Sequence, residues 1–423
     1  MKLASSSMGK SMTETHRTQS IITFSAAFFL TACSAHELTK GEAAEPGHGI
    51  SQQSAAGHES VVYPTAYKQF EKSAGNTLVL DLTKKQGVNS IVPRLSQDRV
   101  VYVGETHDRF DHHLNQLEVI RQLHRSKPNI AIGMEFFQQP FQPVLDDYIG
   151  GRISEKEMLL KTEWYKRWRY DYRLYRPIMR YAREHAIPVI ALNVAGELIE
   201  RVSAVGLAGL SQAERSQMPR EMDNSDKRYR ERIQSVYQGH PHAGKGGFER
   251  FMEVQLAWDE GMAERIVRFL RENPDGDMVV LAGSGHLMYG TGIPNRVRRR
   301  LPLASHIILP ADNIALNPEI ADFVVYPEQV QLPPAGLLGV LLDRGEKGVR
   351  VSGLLPNSAA AQAGIEEGDY ILRLNGEAVN DTAGIKVRML DKSPGDSVEL
   401  QVLRKRVLLE DKILQFEFEL GRE

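Results

Sequence analysis

Short runs of apolar residues recur along the middle of the chain, and each ends at a glycine or an asparagine. They cover residues 100–103, 130–132, 188–192 and 278–282. A short, continuous apolar run bounded in this way is typical of a strand that is buried on both faces of a sheet. The pattern therefore predicts four strands at the centre of one large domain.

Between these runs, apolar residues recur at spacings of three and four, which is the period of a helix with one buried face. Residues 112–123 and 248–270 show this spacing. Strands that alternate with helices form a parallel sheet covered by helices, so we predict an α/β fold with a mostly parallel sheet. Residues 150–180 and 197–245 interrupt the alternation, and their aromatic and charged residues predict helical insertions.

Composition narrows the classes of protein to which the chain can belong. The 423 residues include 52 basic and 54 acidic side chains, which gives a net charge of −2. A nucleic-acid-binding protein would show a basic excess, so we expect no nucleic-acid partner. The single cysteine excludes disulfides within the chain, and it also excludes Cys-ligated zinc and iron–sulfur clusters.

The first part of the chain has the pattern of a targeting segment. A polar start with three basic residues precedes the apolar run 21–30, which is shorter than the ~20 residues that span a bilayer. Leu30-Thr31-Ala32-Cys33 then resembles a bacterial lipobox. We therefore predict a lipoprotein signal peptide at 1–32 and a lipid on Cys33. An ordinary secretory signal with an incidental cysteine is the alternative.

The residues that follow predict where the protein resides and how it is held. Segment 33–60 is rich in Ser, Ala, Gly, Glu and His without periodicity, which predicts a flexible tether to the membrane. Ser34 after the lipidated cysteine favours the outer membrane over retention in the inner one. We expect a protein of the cell envelope that is lipid-anchored and faces the periplasm.

Polar side chains follow the four predicted strands, at the edge of the sheet where α/β proteins bind their ligands. They are Glu105, His107, Glu135, Asn193 and His286. Carboxylates and imidazoles that converge there would suit a divalent metal or acid–base chemistry. The alternative is structural, with histidines that cap helices and carboxylates that bind backbone amides.

Several motifs in order give the chain a resemblance to the ChaN family of haem-binding lipoproteins, within the Tiki, TraB and erythromycin-esterase superfamily. The resemblance covers residues 90–310. Its residues are Gly104-Glu105-Thr106-His107, Gly133-Met134-Glu135, Asn193, the run 255–263, Ala282-Gly283-Ser284-Gly285-His286, Gly292-Ile293-Pro294 and Arg298-Arg299-Arg300. It implies a ChaN-like haem-binding domain at 61–320.

The resemblance also implies two kinds of chemistry. As a resemblance to ChaN proteins, it implies that a tyrosine ligates the haem iron and that two copies dimerise around the haem. In the wider superfamily it implies a metal-dependent protease or esterase centre. That centre, as catalytic residues and metal ligands, would comprise Glu105, His107, Glu135 and His286.

Without a thiolate, a haem iron ligand must come from His, Met or Tyr. Segment 164–176 is dense in aromatic residues, which suit a porphyrin face, and in arginines, which suit propionates. We select Tyr170 and Tyr172, and expect the arginines to lower the pKa of a ligand tyrosine. His240 and His242 are a second pair. The alternatives are core-packed tyrosines and a solvated histidine loop.

The second predicted helix has polar residues on its apolar face. Gln255, Trp258, Asp259 and Met262 share that face by their spacing. Trp258 and Met262 fit plain core packing. Buried Gln255 and Asp259 need partners, so we expect them to orient the loop residues or to contact the cofactor.

The C-terminal part, 335–423, closely resembles a bacterial PDZ domain through residues 357–376, and it follows a proline-rich linker at 321–334. Such domains bind the carboxylate of a peptide C-terminus through backbone amides, while the peptide adds a strand to the sheet edge. By position the amides belong to Leu337, Leu338, Gly339 and Val340, and the groove helix spans 383–390. The alternative is a PDZ fold that packs on its own main domain and binds no peptide.

Two functions thus compete at this stage. The first is a haem-binding envelope lipoprotein in iron uptake, whose PDZ domain docks a partner protein or peptide. The second is a metal-dependent hydrolase of the same superfamily. A scaffold lipoprotein with a degenerate site is a third reading.

Overall fold

The computed structural model describes residues 86–239, 247–312, 317–406 and 409–422. The signal peptide, the tether, Cys33, His240 and His242 lie outside these residues. Within them the chain forms a helix-covered sheet and a second, antiparallel sheet. No helix in these ranges is both long and apolar enough to cross a membrane.

The first sheet has six strands, all parallel, in the order β3-β2-β4-β1-β5-β6. The four predicted strands lie side by side, from one edge of this sheet to its centre. Every residue of β1 is buried, as expected for a strand covered on both faces. The bounds are β1 Val100–Glu105, β2 Ile130–Gln138, β3 Val189–Asn193, β4 Asp277–Gly283, β5 Ser305–Pro310 and β6 Phe323–Val325.

Helices cover both faces of this sheet, which confirms the predicted α/β class. The long helix of Gly247–Glu272 packs on one face through Met262 and Ile266, and the helix of Phe110–Ser126 packs on the other through Leu117 and Ile120. The helices are α1 Val92–Leu95, α2 Phe110–Ser126, α3 Gln142–Ile149, α4 Glu155–Lys161, α5 Trp164–Arg167, α6 Arg176–Glu184, α7 Gly196–Val205, α8 Gln212–Arg215, α9 Lys227–Gln238, α10 Gly247–Glu272, α11 Ser284–Leu287 and α12 Ile293–Arg300.

The predicted insertions are chains of short helices. The first contains α4, α5, a 3-10 turn at Tyr172–Leu174 and α6, and it packs on the α2 side of the sheet. The second contains α7, α8 and α9, and its buried residues pack against α10. Further 3-10 turns lie at Val88–Ser90, Gln139–Phe141 and Met288–Gly290.

The sequence pattern did not predict the strands β5 and β6, and these strands bear on the predicted boundary between the main domain and the linker. β5 begins with half-buried Ser305 and His306, and β6 has only three residues, so neither reads as a long apolar run. β6 lies inside the segment predicted as linker, yet it pairs with β5. The main domain therefore continues to Val325, and the linker is shorter than predicted.

The second sheet follows the path β12-β11-β9-β8-β7, with β10 paired to β9. Ser358 caps α13, and Gly364 ends that helix in the left-handed region, as the sequence indicated. The bounds are β7 Val340–Gly345, β8 Gly348–Leu354, α13 Ala359–Ala363, β9 Tyr370–Leu374, β10 Glu377–Ala378, α14 Thr382–Arg388, β11 Ser397–Arg404 and β12 Lys412–Glu419.

The two sheets are joined by a packed contact between α14 and the first insertion. Val387 and Leu390 are buried in the apolar core of the main domain. Asp391 accepts hydrogen bonds from Arg176, and it lies 3.1 Å from the ammonium of Lys156. The predicted groove helix thus has one side committed to the main domain.

Candidate functional site

The site begins where β1 leaves the sheet, and the backbone there is tightly enclosed. A Cβ on Gly104 would lie 2.4 Å from Leu309 Cδ2 and 2.8 Å from Ser284 Oγ. Only glycine fits this approach between β1, β5 and the loop after β4. Glu105 and His107 follow at once, so the close fit fixes where their side chains start.

Glu105 and His107 form a buried pair. His107 Nδ1 donates to Glu105 Oε1, and neither residue is more than 5% exposed. The other carboxylate oxygen lies 3.6 Å from His113 Nε2 on α2. Tyr175 donates its hydroxyl proton to the backbone oxygen of His107 at 3.0 Å. His107 is therefore held from its side chain and from its backbone.

Glu135 and His286 arrive from the neighbouring strands β2 and β4. Glu135 Oε2 accepts the backbone N–H of Gly283 at 2.7 Å, and Glu135 Oε1 lies 3.5 Å from His286 Nε2. A Cβ on Gly283 would lie 2.9 Å from His107 Cε1 and 3.6 Å from Glu135 Oε2. The structure thus brings Glu105, His107, Glu135 and His286 together, and we call them the Glu/His cluster.

Asp259 on α10 is the second carboxylate on His286. His286 Nδ1 donates to Asp259 Oδ1 at 2.5 Å, and Tyr229 donates its hydroxyl proton to Asp259 Oδ2 at 2.7 Å. Asp259 thus orients a loop residue, one of the two roles predicted for it. Gln255 is buried on the same helix, and Met262 is plain core. Haem contact by Gln255 or Asp259 stays a prediction.

Carboxylate partners raise the pKa of both histidines in the cluster. Burial by itself lowers the pKa of His107, but Glu105 and then Glu135 outweigh it and raise that pKa to about 9. Burial likewise opposes the charge of His286, while Glu135 and Asp259 raise its pKa. Burial lowers the pKa of His113, which favours its neutral form. The paired carboxylates therefore favour the charged form of both cluster histidines.

One side of the cluster is an aromatic wall made by Phe136, Trp168 and Tyr170. The ring centres lie 6.3, 4.8 and 5.3 Å from that of His107. Trp164, itself buried, donates its indole N–H to the backbone oxygen of Tyr170 at 2.9 Å. The first insertion therefore supplies apolar, flat surfaces beside His107.

The structure separates the two selected tyrosines. Tyr170 is half-buried and belongs to the aromatic wall. Tyr172 is fully buried, and its hydroxyl donates to Glu155 Oε1 at 3.2 Å, among side chains that face the second domain. Tyr172 therefore does not join the cluster, and its position fits the core-packing alternative.

The pKa of both tyrosines is raised, not lowered as expected: no arginine of the described residues acts on Tyr170, and at Tyr172 burial and Glu155 outweigh the lowering by Arg176. Burial, followed by Glu105, Asp108 and Glu135, raises the pKa of Tyr170 to about 12. Nearby arginines are instead paired with carboxylates: Arg167 with Glu163 and Glu197, Arg173 with Asp171, and Arg176 with Glu155 and Asp391. Composition showed the arginines but not the carboxylates that neutralise them.

The ligand atoms of the Glu/His cluster are not among the groups of three that lie within 4.8 Å of one another in the described ranges. Nδ1 of each histidine is bound to a carboxylate, and Nε2 is left as the nitrogen that could reach a metal. Within the described ranges, the three ligand atoms that lie close together belong to Asp111, His112 and Asp312. There, His112 Nδ1 accepts the N–H of Thr106, so Nε2 carries the proton toward Asp312. The guanidinium of Arg109 also pairs with both aspartates, so a side-chain cation already compensates the negative charge of these three residues.

Asn193 ends β3 at the same edge of the sheet, and its register partner is Gln138. Its Oδ1 is buried and has no hydrogen-bond partner among the described residues. The structure gives it no contact with the Glu/His cluster that would support a shared role.

The structure removes the first of the four predicted PDZ loop amides, and the other three stay a prediction. The Leu337 amide donates to Gly421 O at 3.0 Å, so it cannot also bind a peptide carboxylate. Leu338 and Gly339 donate to no backbone oxygen within the described ranges. Val340 begins β7, the edge strand of the sheet. Leu337 is paired through an isolated β-bridge with Gly421, which lies far away in the sequence, so the local sequence does not reveal this pairing.

Comparison with known proteins matches this two-part organisation. Residues 91–297 match the family described as haem-binding uptake, Tiki superfamily, ChaN, and residues 336–419 match the PDZ domain family. The chain carries a ChaN-family domain followed by a PDZ domain. The ChaN-family domain is the part that contains the complete Glu/His cluster, Asp259 and the aromatic wall.

Individual relatives of this ChaN-PDZ chain are distant or partial. Protein RETICULATA-RELATED 5, chloroplastic, of Arabidopsis thaliana is 25% identical over 285 residues, 55% of this chain and 34% of that protein. Serine protease Do-like HtrB of Bacillus subtilis is 38% identical over 95 residues, 22% of this chain and 20% of its own length. The chain thus spans about a third and a fifth of these relatives.

Among solved structures, one described as cofacial heme binding to ChaN of Campylobacter jejuni is 18% identical. The match covers 58% of this chain and 93% of that one, with a TM-score of 0.48.

Sequence reasoning missed His113, Tyr175 and Tyr229, which hold the cluster from α2, the first insertion and α9. Tyr175 and Tyr229 lie far along the chain from the residues they contact, whereas His113 lies only eight residues after Glu105. The signal that could have found His113 is its position within one helical period of the β1 loop. Nothing local marks the two tyrosines.

Proposed function

We propose that this protein is an envelope lipoprotein that binds haem in the ChaN-family domain and docks a protein C-terminus on the PDZ domain. The proposal includes lipid attachment at Cys33, a place in the outer membrane and a role in haem or iron uptake. The observation that carries haem binding is the aromatic wall beside His107, inside a domain of a haem-binding family.

Tyr170 is the iron ligand that this geometry favours. It is half-buried at the cluster, whereas Tyr172 is enclosed and bonded to Glu155. A tyrosine oxygen is a known ligand of haem iron, and flat rings such as Trp168 suit a porphyrin face. Because the pKa of Tyr170 is raised to about 12 by burial and neighbouring carboxylates, binding would require the loss of the phenol proton.

Haemin titration of the protein from Ser34 onward tests this function, with absorbance followed at the Soret band. We expect saturable binding, and we expect Tyr170→Phe to remove most of the spectral change. Tyr172→Phe is the matched control because it removes a hydroxyl that does not reach the cluster. A spectrum that survives Tyr170→Phe would move the ligand to His240 or His242.

Attachment and assembly need separate tests. Labelling of cells with a radioactive fatty acid should mark the protein, and Cys33→Ala should abolish the label. Membrane fractionation then distinguishes outer from inner membrane. Light scattering during haemin titration tests whether haem brings two copies together. A strictly monomeric haem complex would remove the dimer from the proposal.

The PDZ domain would bind a peptide along β7 with its carboxylate at the amides of Leu338, Gly339 and Val340. β7 is an edge strand, and extended peptides add to such edges. A library of peptides with free C-termini, compared with the same peptides amidated at that end, tests this mode. Equal binding of both forms would exclude carboxylate recognition.

Hydrolysis is the second candidate, and a specific arrangement favours it. Two carboxylate–histidine pairs, Glu105–His107 and Asp259–His286, flank Glu135 at one sheet edge. If a divalent ion were held there to activate water, His107→Ala and His286→Ala should each abolish retention of metal. Metal retained by both variants would end this candidate.

A further inference from the structure

A cavity of about 360 Å³ lies beside the carboxyl ends of β2 and β3. Gln139 and Val194, which line it, follow those strands directly. None of its lining residues belongs to the Glu/His cluster or the aromatic wall. The volume falls within the range of small-molecule sites, and open α/β sheets bind ligands at this edge.

One part of this cavity is apolar. Val194, Leu198 and Met218 line it, and each is only 5% exposed. They come from the end of β3, from α7 and from the chain between α8 and α9. A ligand that occupied the cavity would therefore bury part of its surface against hydrocarbon.

Another part is cationic. Arg220, Arg265 and Arg268 line the cavity together with a single carboxylate, Glu264. That carboxylate is already engaged, because its Oε2 accepts the backbone N–H of Arg220 at 2.8 Å and its Oε1 lies 3.6 Å from Arg268. Three guanidinium groups against one carboxylate leave the lining with a positive excess of two charges.

Arg265 is half-buried whereas Arg220 and Arg268 are exposed, so its charge is the least solvated of the three. Its only hydrogen bond among the described residues runs from NH2 to the neutral amide oxygen of Gln142 at 3.2 Å. Its Nε is buried and has no partner there, and no carboxylate oxygen of those residues lies within 4.0 Å of it. Burial, and then the like charge of Arg268, lower the pKa of Arg265, and they outweigh the opposite effect of Glu272 and Asp146, neither of which pairs with it directly. An unpaired, partly desolvated cation is costly unless an anion meets it.

We propose that this cavity, the arginine pocket, binds a small organic acid whose carboxylate meets Arg265 and Arg268 while its apolar body contacts Val194, Leu198 and Met218. The positive excess selects an anion, and Arg matches the shape of a carboxylate. The apolar lining selects an organic acid over inorganic phosphate, which has no surface to bury there. This site is independent of the proposed haem function.

Calorimetric titration of the full chain with octanoate tests the proposal. We expect saturable binding that Arg265→Gln and Arg268→Gln each weaken about tenfold or more, the scale of one hydrogen bond between charged groups. Glu264→Gln should strengthen binding, because it removes the competing negative charge. Circular dichroism and the unfolding temperature verify that each variant is folded.

Arg271→Gln is the matched control, because Arg271 lies on the same helix and does not line the pocket. Inorganic phosphate titrated alone should bind far more weakly than octanoate. The proposal is overturned if octanoate does not saturate, if phosphate binds equally well, or if the folded Arg265→Gln and Arg268→Gln variants bind octanoate like the parent. Loss of octanoate binding in Tyr170→Phe, with these variants unaffected, would place the ligand at the haem site and overturn it too.

Discussion

The Glu/His cluster and the PDZ groove lie in one chain, yet they offer opposite surfaces to a ligand. In the cluster, imidazoles and carboxylates are nearly fully buried and each histidine is hydrogen-bonded to a carboxylate, while Glu105 Oε2 has no hydrogen-bond partner among the described residues. In the groove, the backbone groups along the outer edge of β7 are paired with no strand among the described residues. The same strand carries the exposed side chain of Leu341. The cluster depends on the balance between buried charges and on close packing, while the groove depends on the unpaired backbone groups of an edge strand. Changes to charge and volume should therefore affect the first region most.

The largest effect should follow from removal of the buried carboxylate that pairs with the cluster at His286. Asp259→Ala leaves His286 without its closest carboxylate and Tyr229 without its acceptor. Breaking such a buried pair costs about 3–5 kcal/mol in the free energy of unfolding. Urea denaturation measures it. Glu249→Gln, at an exposed pair with Arg230, is the control and should cost less than about 1 kcal/mol. Equal losses would contradict the contrast.

Next in size is the effect of one added methyl group. In Gly104→Ala the new Cβ would lie 2.4 Å from Leu309 Cδ2, so the site must shift, at a cost of about 1–3 kcal/mol. In the PDZ sheet, Gly353→Ala meets nothing closer than 3.4 Å. Thermal unfolding of both variants should show a loss only for the first. A comparable loss at Gly353 would mean that both regions are packed equally tightly.

The pH dependence of stability sharpens the comparison further. The pKa of His107 rises from 6.5 to about 9 on folding, because Glu105 and Glu135 outweigh its burial. Its contribution is therefore complete below about pH 6.5 and is lost as the pH rises through 9. Urea denaturation between these values should show falling stability of the ChaN-family domain. His107→Gln should flatten the slope, and an unchanged slope would refute this assignment.

The smallest effect should come from the junction between the regions. Asp391 is about half exposed and pairs with Arg176 and Lys156. Asp391→Ala should cost about 0–1 kcal/mol, because exposed ion pairs are screened and entropically costly. Val387→Ala nearby removes buried apolar surface and should cost more. If Asp391→Ala proved the more damaging, electrostatics would dominate the junction.

The sequence was informative where structure repeats at short range. Continuous apolar runs predicted β1 to β4, and helical spacing predicted α2 and α10. The motifs at the strand ends predicted the cluster because parallel strands end at one edge. β5 and β6 were not predicted, because β5 begins with polar residues and β6 is short. The PDZ turns and caps were readable because each depends on a few adjacent residues.

By itself, then, the sequence determined the α/β class, the order of the two domains and which Glu and His side chains share an edge. Only the tertiary structure decided that Tyr170 faces His107 while Tyr172 faces Glu155, and that Leu337 is already paired with Gly421. It also decided which arginines are neutralised and which line the arginine pocket. The physical reason is that hydrophobic period is a local property. Charge pairing and exposure depend on residues that lie far apart in the chain.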